Sequence, residues 1–173
     1  MPSSNTFTVD PIGKFVKKHL SGISIDPFSG NNEWCTYTND LNPKTSARFH
    51  MDAEEFIKMI QTMGVVPNVI IFDPPYSPRQ ISECYKNFGR KVGTRETQNG
   101  HLYKRVRDAI NEILPIGGKV LSFGWNSAGM GKNRGYIISD ILLVCHGGAH
   151  NDTICICEKK HSVNDPFLEK ERS

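Results

Sequence analysis

The sequence predicts an α/β fold, a mostly parallel sheet covered on both faces, with an antiparallel hairpin at its C-terminal end. Three observations carry that prediction. Short apolar runs alternate with segments of helical periodicity. One of those runs, residues 68–72, is apolar without interruption after Asn68, as expected of a central strand buried on both faces. The last two strand-like segments, 136–145 and 153–158, are separated only by His146-Gly147-Gly148-Ala149-His150-Asn151-Asp152, which reads as a hairpin connection. The 173 residues amount to one domain, assigned here to 1–160, with a charged tail over 161–173.

The elements follow in order. Asp10-Pro11 reads as an N-cap followed by proline in the first helical position, and Ile12, Phe15, Val16 and Leu20 recur at helical spacing before Gly22. Residues 23–25 form a short strand that enters the turn Asp26-Pro27-Phe28-Ser29-Gly30. Residues 35–38 form a second strand, closed by Asn39-Asp40-Leu41-Asn42-Pro43. Asp52 and Glu55 have capping-box spacing, and Phe56, Ile57, Ile60 and Met63 give the apolar stripe of a helix that Gly64 ends.

Asp73-Pro74-Pro75-Tyr76 follows the buried strand directly. Ser77-Pro78 starts a further helix with Ile81, Tyr85 and Phe88 on one face, and the polar residues 93–100 read as a loop. Leu102, Val106, Ile110, Ile113 and Leu114 mark a helix that stops at Pro115. A strand over 119–123 and a loop with four glycines over 124–135 precede the hairpin.

Composition narrows the functional classes. Hydrophobic residues make up 38% and charged residues 23%, the balance of a globular chain rather than a disordered one. No window reaches the ~18 apolar residues of a membrane span, and the first ten residues lack the pattern of a signal peptide, so the expectation is a cytoplasmic protein without membrane association. Five cysteines without framework spacing suit a reducing compartment. Cys155-x-Cys157 near His146 and His150 has two readings, a zinc site or one buried face of a strand; the second is preferred and no metal is expected.

The net charge is +3, but between Ser77 and Arg107 eight basic residues stand against Glu83 and Glu96, a local +6 that leaves −3 for the rest. Within 77–101, the candidate substrate-contact segment, Arg79, Lys86, Arg90, Lys91 and Arg95 are the candidate phosphate ligands. A solvated helix face would explain the same residues.

Ligands of open α/β sheets bind outside the carboxyl ends of the strands, and Asp26, Asp40 and Asp73 fall at three such ends. Two consecutive prolines remove two N–H donors and fix two φ angles, so Pro74-Pro75 makes a rigid turn that holds an acceptor and the Tyr76 ring in place. Such a turn suits a base amine. Its lone pair is delocalised into the ring, and acceptors on its two hydrogens, the Asp73 carboxylate and the Pro74 carbonyl, would redirect it while Tyr76 stacks on the extruded base.

At these residues the chain resembles the amino-methyltransferases, and in particular the small adenine-N6 DNA methylases of phages and prophages, over roughly residues 23–158. The resemblance implies a Rossmann-like three-layer sandwich, S-adenosylmethionine as cofactor and DNA as partner, with RNA, cytosine N4 and a non-catalytic nucleic-acid-binding subunit as alternatives. It places the target amine on Asp73, Pro74, Pro75 and Tyr76. Asp26, Pro27, Phe28 and Gly30 are similar to the family's cofactor turn, Asp40 to its ribose-binding acid, and Asp52 to an acid near the cofactor adenine. Asp52 serves equally as a helix N-cap. Trp125 and Asn126 line the crevice or, for Trp125, pack in the core. One departure stands out: only residues 31–34 separate Gly30 from the second strand, so the first crossover helix is expected to be missing or reduced to a turn.

Overall fold

Val69, Ile70, Ile71 and Phe72 are at most 2% exposed and form the central strand β3 (Val69–Phe72). Burying each such side chain stabilises the fold by about 2 kcal/mol, which fixes this strand in the middle of the sheet. The computed structural model describes residues 6–75, 99–147 and 152–162. The remaining strands are β1 (Ser24–Asp26), β2 (Tyr37–Thr38), β4 (Lys119–Gly124), β5 (Tyr136–Val144) and β6 (Thr153–Lys160). They form one six-stranded sheet in the order β2-β1-β3-β4-β6-β5. β2, β1, β3 and β4 are parallel neighbours, and β6 runs antiparallel to both β4 and β5.

The helices are α1 (Asp10–His19), α2 (Ala53–Thr62) and α3 (Asn99–Ile113), with 3-10 turns at Thr6–Thr8 and Lys132–Arg134. The paths from β2 to β3 and from β3 to β4 advance in one direction across the sheet, and right-handed crossovers then put α2 and α3 on one face. Phe56, Ile57 and Ile60 of α2 and Val106 and Ile110 of α3 pack there with Ile25, Ile70, Phe72 and Val120. The step from β1 to β2 runs the other way and belongs on the opposite face. It contains no helix: residues 27–36 are turns and irregular chain, as the short spacing predicts. In its place stands α1, whose Ile12, Phe15 and Val16 join Phe7, Cys35, Val69, Ile71 and Leu121 in a second core. Gly13 lets α1 lie close, because a Cβ there would meet the Phe7 carbonyl oxygen at 2.7 Å.

Several local expectations change. Val9 rather than Asp10 caps α1, and Asp10 lies in the first helical turn. Met63 is 54% exposed, outside the α2 stripe that Phe56, Ile57 and Ile60 form. The Asp52 side chain does cap α2, but it accepts from the amide of Glu54, because a short Asx side chain reaches two residues along. The reading of 93–100 as loop fails at its end, where Asn99 opens α3. The helix read from Ser77-Pro78 lies outside the described residues. Cys155 and Cys157 are fully buried in the α1-side core, the buried-strand reading.

Candidate functional site

β1 has β2 on one side and β3 on the other, so the connections diverge between β1 and β3 and leave a crevice at their carboxyl ends. Asp26 is the last residue of β1 and Asp73 follows β3 directly. Asp26 is 2% exposed, and its Oδ1 accepts from the Phe28 amide at 3.0 Å. Burial pushes its carboxyl well above the usual carboxylate range; the Phe28 amide opposes that shift, and the negative charges of Asp73 and Asp40 add to it. The charges of Asp73 and Asp40 therefore both reach the Asp26 carboxyl.

Asp40 lies two residues beyond β2. Its Oδ2 accepts from the Gly30 amide at 3.0 Å and its Oδ1 from the Asn42 amide at 2.7 Å, so it ties its own turn to the turn after β1. Gly30 has φ 55°, a conformation that favours glycine, and the space beside its Cα is open. Phe28 packs edge-on against Phe72 with ring centroids 6.0 Å apart, which links the Asp26 turn to the strand that presents Asp73. Pro27 and Pro74 are buried and Pro75 half-buried, so the turns are anchored by their prolines.

The residue that assembles these turns is Asn39, which the sequence reading treated only as part of a turn. It is fully buried. Its amide nitrogen donates to the Pro27 and Met51 carbonyls at 3.1 and 3.0 Å, and its Oδ1 accepts from the Met51 amide at 3.1 Å. One side chain thus joins the turn after β1 to the entrance of α2, where Asp52 sits. The available signal was an Asn immediately after a strand, and Asx residues in such places bond to backbone.

No family model and no curated protein sequence matches the chain. Solved structures do. TrmN from Thermus thermophilus superposes with a TM-score of 0.55 over 91% of this chain at 17% identity, and the chain spans 48% of that protein, about half its length. An rRNA methylase from Streptococcus thermophilus gives 0.50 over 86% at 11% identity, with 93% of that chain covered. The yhhF protein from Escherichia coli gives 0.51 over 90% at 9% identity, with 87% covered. The fold is that of the Rossmann-like methyltransferases.

Within this methyltransferase fold the structure brings together Asp26, Pro27, Phe28, Gly30, Asp40 and Asp73 with its prolines. Asp52 flanks them as the cap of α2. Trp125 follows β4 and is 43% exposed, so it is not a core residue; Asn126 Oδ1 accepts from the Ala128 amide at 3.0 Å in an Asx turn. Tyr76, Arg79, Lys86, Arg90, Lys91 and Arg95 lie outside the described residues. Of the remaining basic block, Arg105 pairs with Glu54 at 3.4 Å, and the Arg107 guanidinium lies 5.4 Å from the Phe72 ring centre. Arg107 also acts on buried Glu158, lowering a carboxyl that burial raises. Arg107 thus serves the protein's own packing, whereas the Arg105 side chain stays 63% exposed. No described helix is long and apolar enough to cross a membrane.

Proposed function

We propose that the chain is an S-adenosylmethionine-dependent methyltransferase of an exocyclic base amine in nucleic acid, with adenine N6 in DNA as the substrate. The observation that carries this reading is the placement of the Asp73-Pro74-Pro75 turn beside the Asp26 and Asp40 turns at the divergence of the sheet. The fold supports the transferase class. The rigid diproline turn supports an amine acceptor.

The residues fit the cofactor. A crevice in which the charges of Asp73 and Asp40 both reach the buried Asp26 carboxyl suits a ligand that is cationic at sulfur and at its amino group. The open space at Gly30 lets a ligand approach the backbone closely. Asp26 and Asp40 would hold the cofactor, with Asp52 at its far edge. When bound, the cofactor supplies an electrophilic methyl group on a sulfonium, a good leaving group.

The chain's own contribution is positioning. The Asp73 carboxylate and the Pro74 carbonyl accept the two hydrogens of the amine and turn its lone pair out of the ring system. Because Pro74 and Pro75 fix their φ angles, these acceptors are set before the substrate arrives. Tyr76 stacks on the base, and Arg79, Lys86, Arg90, Lys91 and Arg95 contact phosphates.

Transfer of a radiolabelled methyl group to single- and double-stranded DNA and to RNA, followed by nucleoside mass spectrometry, tests the reading. We expect N6-methyldeoxyadenosine, with Asp73→Ala slower by about 100-fold or more. Undiminished transfer by Asp73→Ala would overturn the mechanism. An RNA base is the second reading, favoured by the likeness to the rRNA methylase, of whose length the chain spans 93%. Label in RNA alone would select it.

A further inference from the structure

The inner strand β6 carries a buried carboxylate at a position where an apolar side chain would pack without a desolvation penalty. Glu158 is 2% exposed, and its register partners are Val120 of β4 and Ile138 of β5, both uncharged. Val120 belongs to the core beneath α2 and α3, so Glu158 faces that side of the sheet. Burial raises its carboxyl above the usual range, while the Met130 and Gly131 amides and the Arg107 guanidinium of α3 oppose the shift. Tyr136 of β5 feels the Glu158 charge, and burial keeps its phenol protonated. Arg134, which acts on Tyr136, pairs with Asp108 of α3 at 2.8 Å.

What the carboxylate holds is main chain. One oxygen accepts from the Met130 amide at 2.7 Å and the other from the Gly131 amide at 3.2 Å, so Glu158 grips two successive amides of the β4–β5 loop. Gly129 leaves room for that grip, since a Cβ there would strike the carboxylate. Met130 is 1% exposed and joins the core on the same face. On either side of this anchored stretch, residues 125–128 and 132–133 are exposed. β4 lies next to β3 and parallel to it, so the loop leaves the sheet at the same end as the Asp73 turn.

We propose that Glu158 is a positioning residue for the nucleic acid: as a carboxylate it fixes the β4–β5 loop as a wall on the β4 side of the crevice, and so sets the affinity for the strand without touching it. The proposal rests on the base-methyltransferase reading and adds to it a residue remote from the reacting atoms. Protonation would turn one oxygen into a hydroxyl donor that faces an amide donor, and one of the two main-chain bonds would be lost. The turns after β1 and β2 lie on the other side of β3, so the affinity for the cofactor does not depend on this anchor.

The test compares the wild type with Glu158→Gln, which keeps the shape and one acceptor oxygen but sets an NH2 group against an amide. At pH 7.5 the variant should bind a fluorescein-labelled, adenine-containing oligodeoxynucleotide about 10-fold more weakly by anisotropy. In methyl transfer its KM for that strand should rise about 10-fold with kcat changed far less, while S-adenosylmethionine affinity by calorimetry stays at the wild-type value. As pH falls through the raised Glu158 value the wild type loses its own carboxylate, and the two affinities should converge. Gly129→Ala, which disturbs the same contact from the loop with Glu158 intact, should weaken oligonucleotide binding likewise. Wild-type oligonucleotide affinity in both variants, or a Glu158→Gln effect independent of pH, would overturn the proposal. So would a cofactor affinity that falls in step with that for the oligonucleotide, the mark of a general loss of structure. A wild type that binds the oligonucleotide but methylates neither DNA nor RNA would instead overturn the methyltransferase reading, and the anisotropy comparison would still decide the role of Glu158.

Discussion

At the scale of single residues, the site concentrates groups that the fold would do better without. The Asp26 carboxyl holds its proton more tightly in the folded chain than in the unfolded one, where a value near 3.9 applies. Its stabilising contribution is therefore complete below about pH 3.9 and is lost as pH rises through the higher folded value. At neutral pH, above the unfolded value, the buried Asp26 carboxyl opposes folding. Asp26→Asn, which keeps an acceptor for the Phe28 amide, should melt higher than the wild type at pH 7.5, by about 2–4 °C per kcal/mol relieved. The difference should shrink as pH falls toward 4 in calorimetric scans; a difference independent of pH would show that the carboxyl does not titrate as described. Asn39 is the opposite case. Asn39→Ala strands the Pro27 and Met51 carbonyls and the Met51 amide, and each buried group left unpaired costs about 1–3 kcal/mol. Urea unfolding should register that loss, and cofactor affinity by calorimetry should fall with it.

At the scale of elements, two connections decide whether the sheet presents its carboxyl ends correctly. The loop from β4 to β5 rests on Glu158, and Gly129, at φ 45°, is where carboxylate and backbone meet. Gly129→Ala should detach the Met130 and Gly131 amides from Glu158, and faster hydrogen exchange at those two amides is the expected signature. Unchanged protection there would show that the tether does not depend on the glycine. On the other face α1 is pinned to β5 through Asp140, which accepts from Lys18 at 2.7 Å and lies 2.8 Å from His19 Nε2. Those partners hold the Asp140 carboxyl below its usual range, so its contribution is present above pH 4 and fades as pH falls through the lowered value. The pair is partly solvated, and the effect is correspondingly small.

At the scale of the whole molecule, the sheet is open, and among the described residues β2 is one of its two edges and β5 the other. Ile138, Ile141 and Leu143 of that strand are 38%, 55% and 58% exposed, and Asp140 is its one charge. Nine residues with so little charge form an edge prone to pairing with other chains. Ile141→Lys should lower light scattering at high protein concentration while leaving the melting temperature within about 1–2 °C, since surface substitutions shift stability by ~0.5 kcal/mol. Equal scattering by the variant would exonerate the edge.

Legibility differed with the range of the interactions involved. β3 and its Asp73 turn could be read from the chain, because a four-residue apolar run followed by two prolines is a local pattern with few structural solutions. The missing β1–β2 helix was equally visible as a matter of length. By contrast, the N-cap of α1, the exposure of Met63 and the inward use of Arg107 depend on neighbours distant in sequence. The counted charge of the basic segment overstated what faces a ligand for that reason.

By itself the sequence determined the fold class, the order of the elements and the Asp73 turn, since periodicity, chain length and proline chemistry act within a few residues. Only the tertiary structure decided that α1 covers the face left bare by the absent helix, that β6 inserts between β4 and β5, and that Asn39 and Glu158 hold the loops around the crevice. Those outcomes rest on hydrogen bonds and packing between residues 12 to more than 100 positions apart. Local propensity carries no record of such pairings.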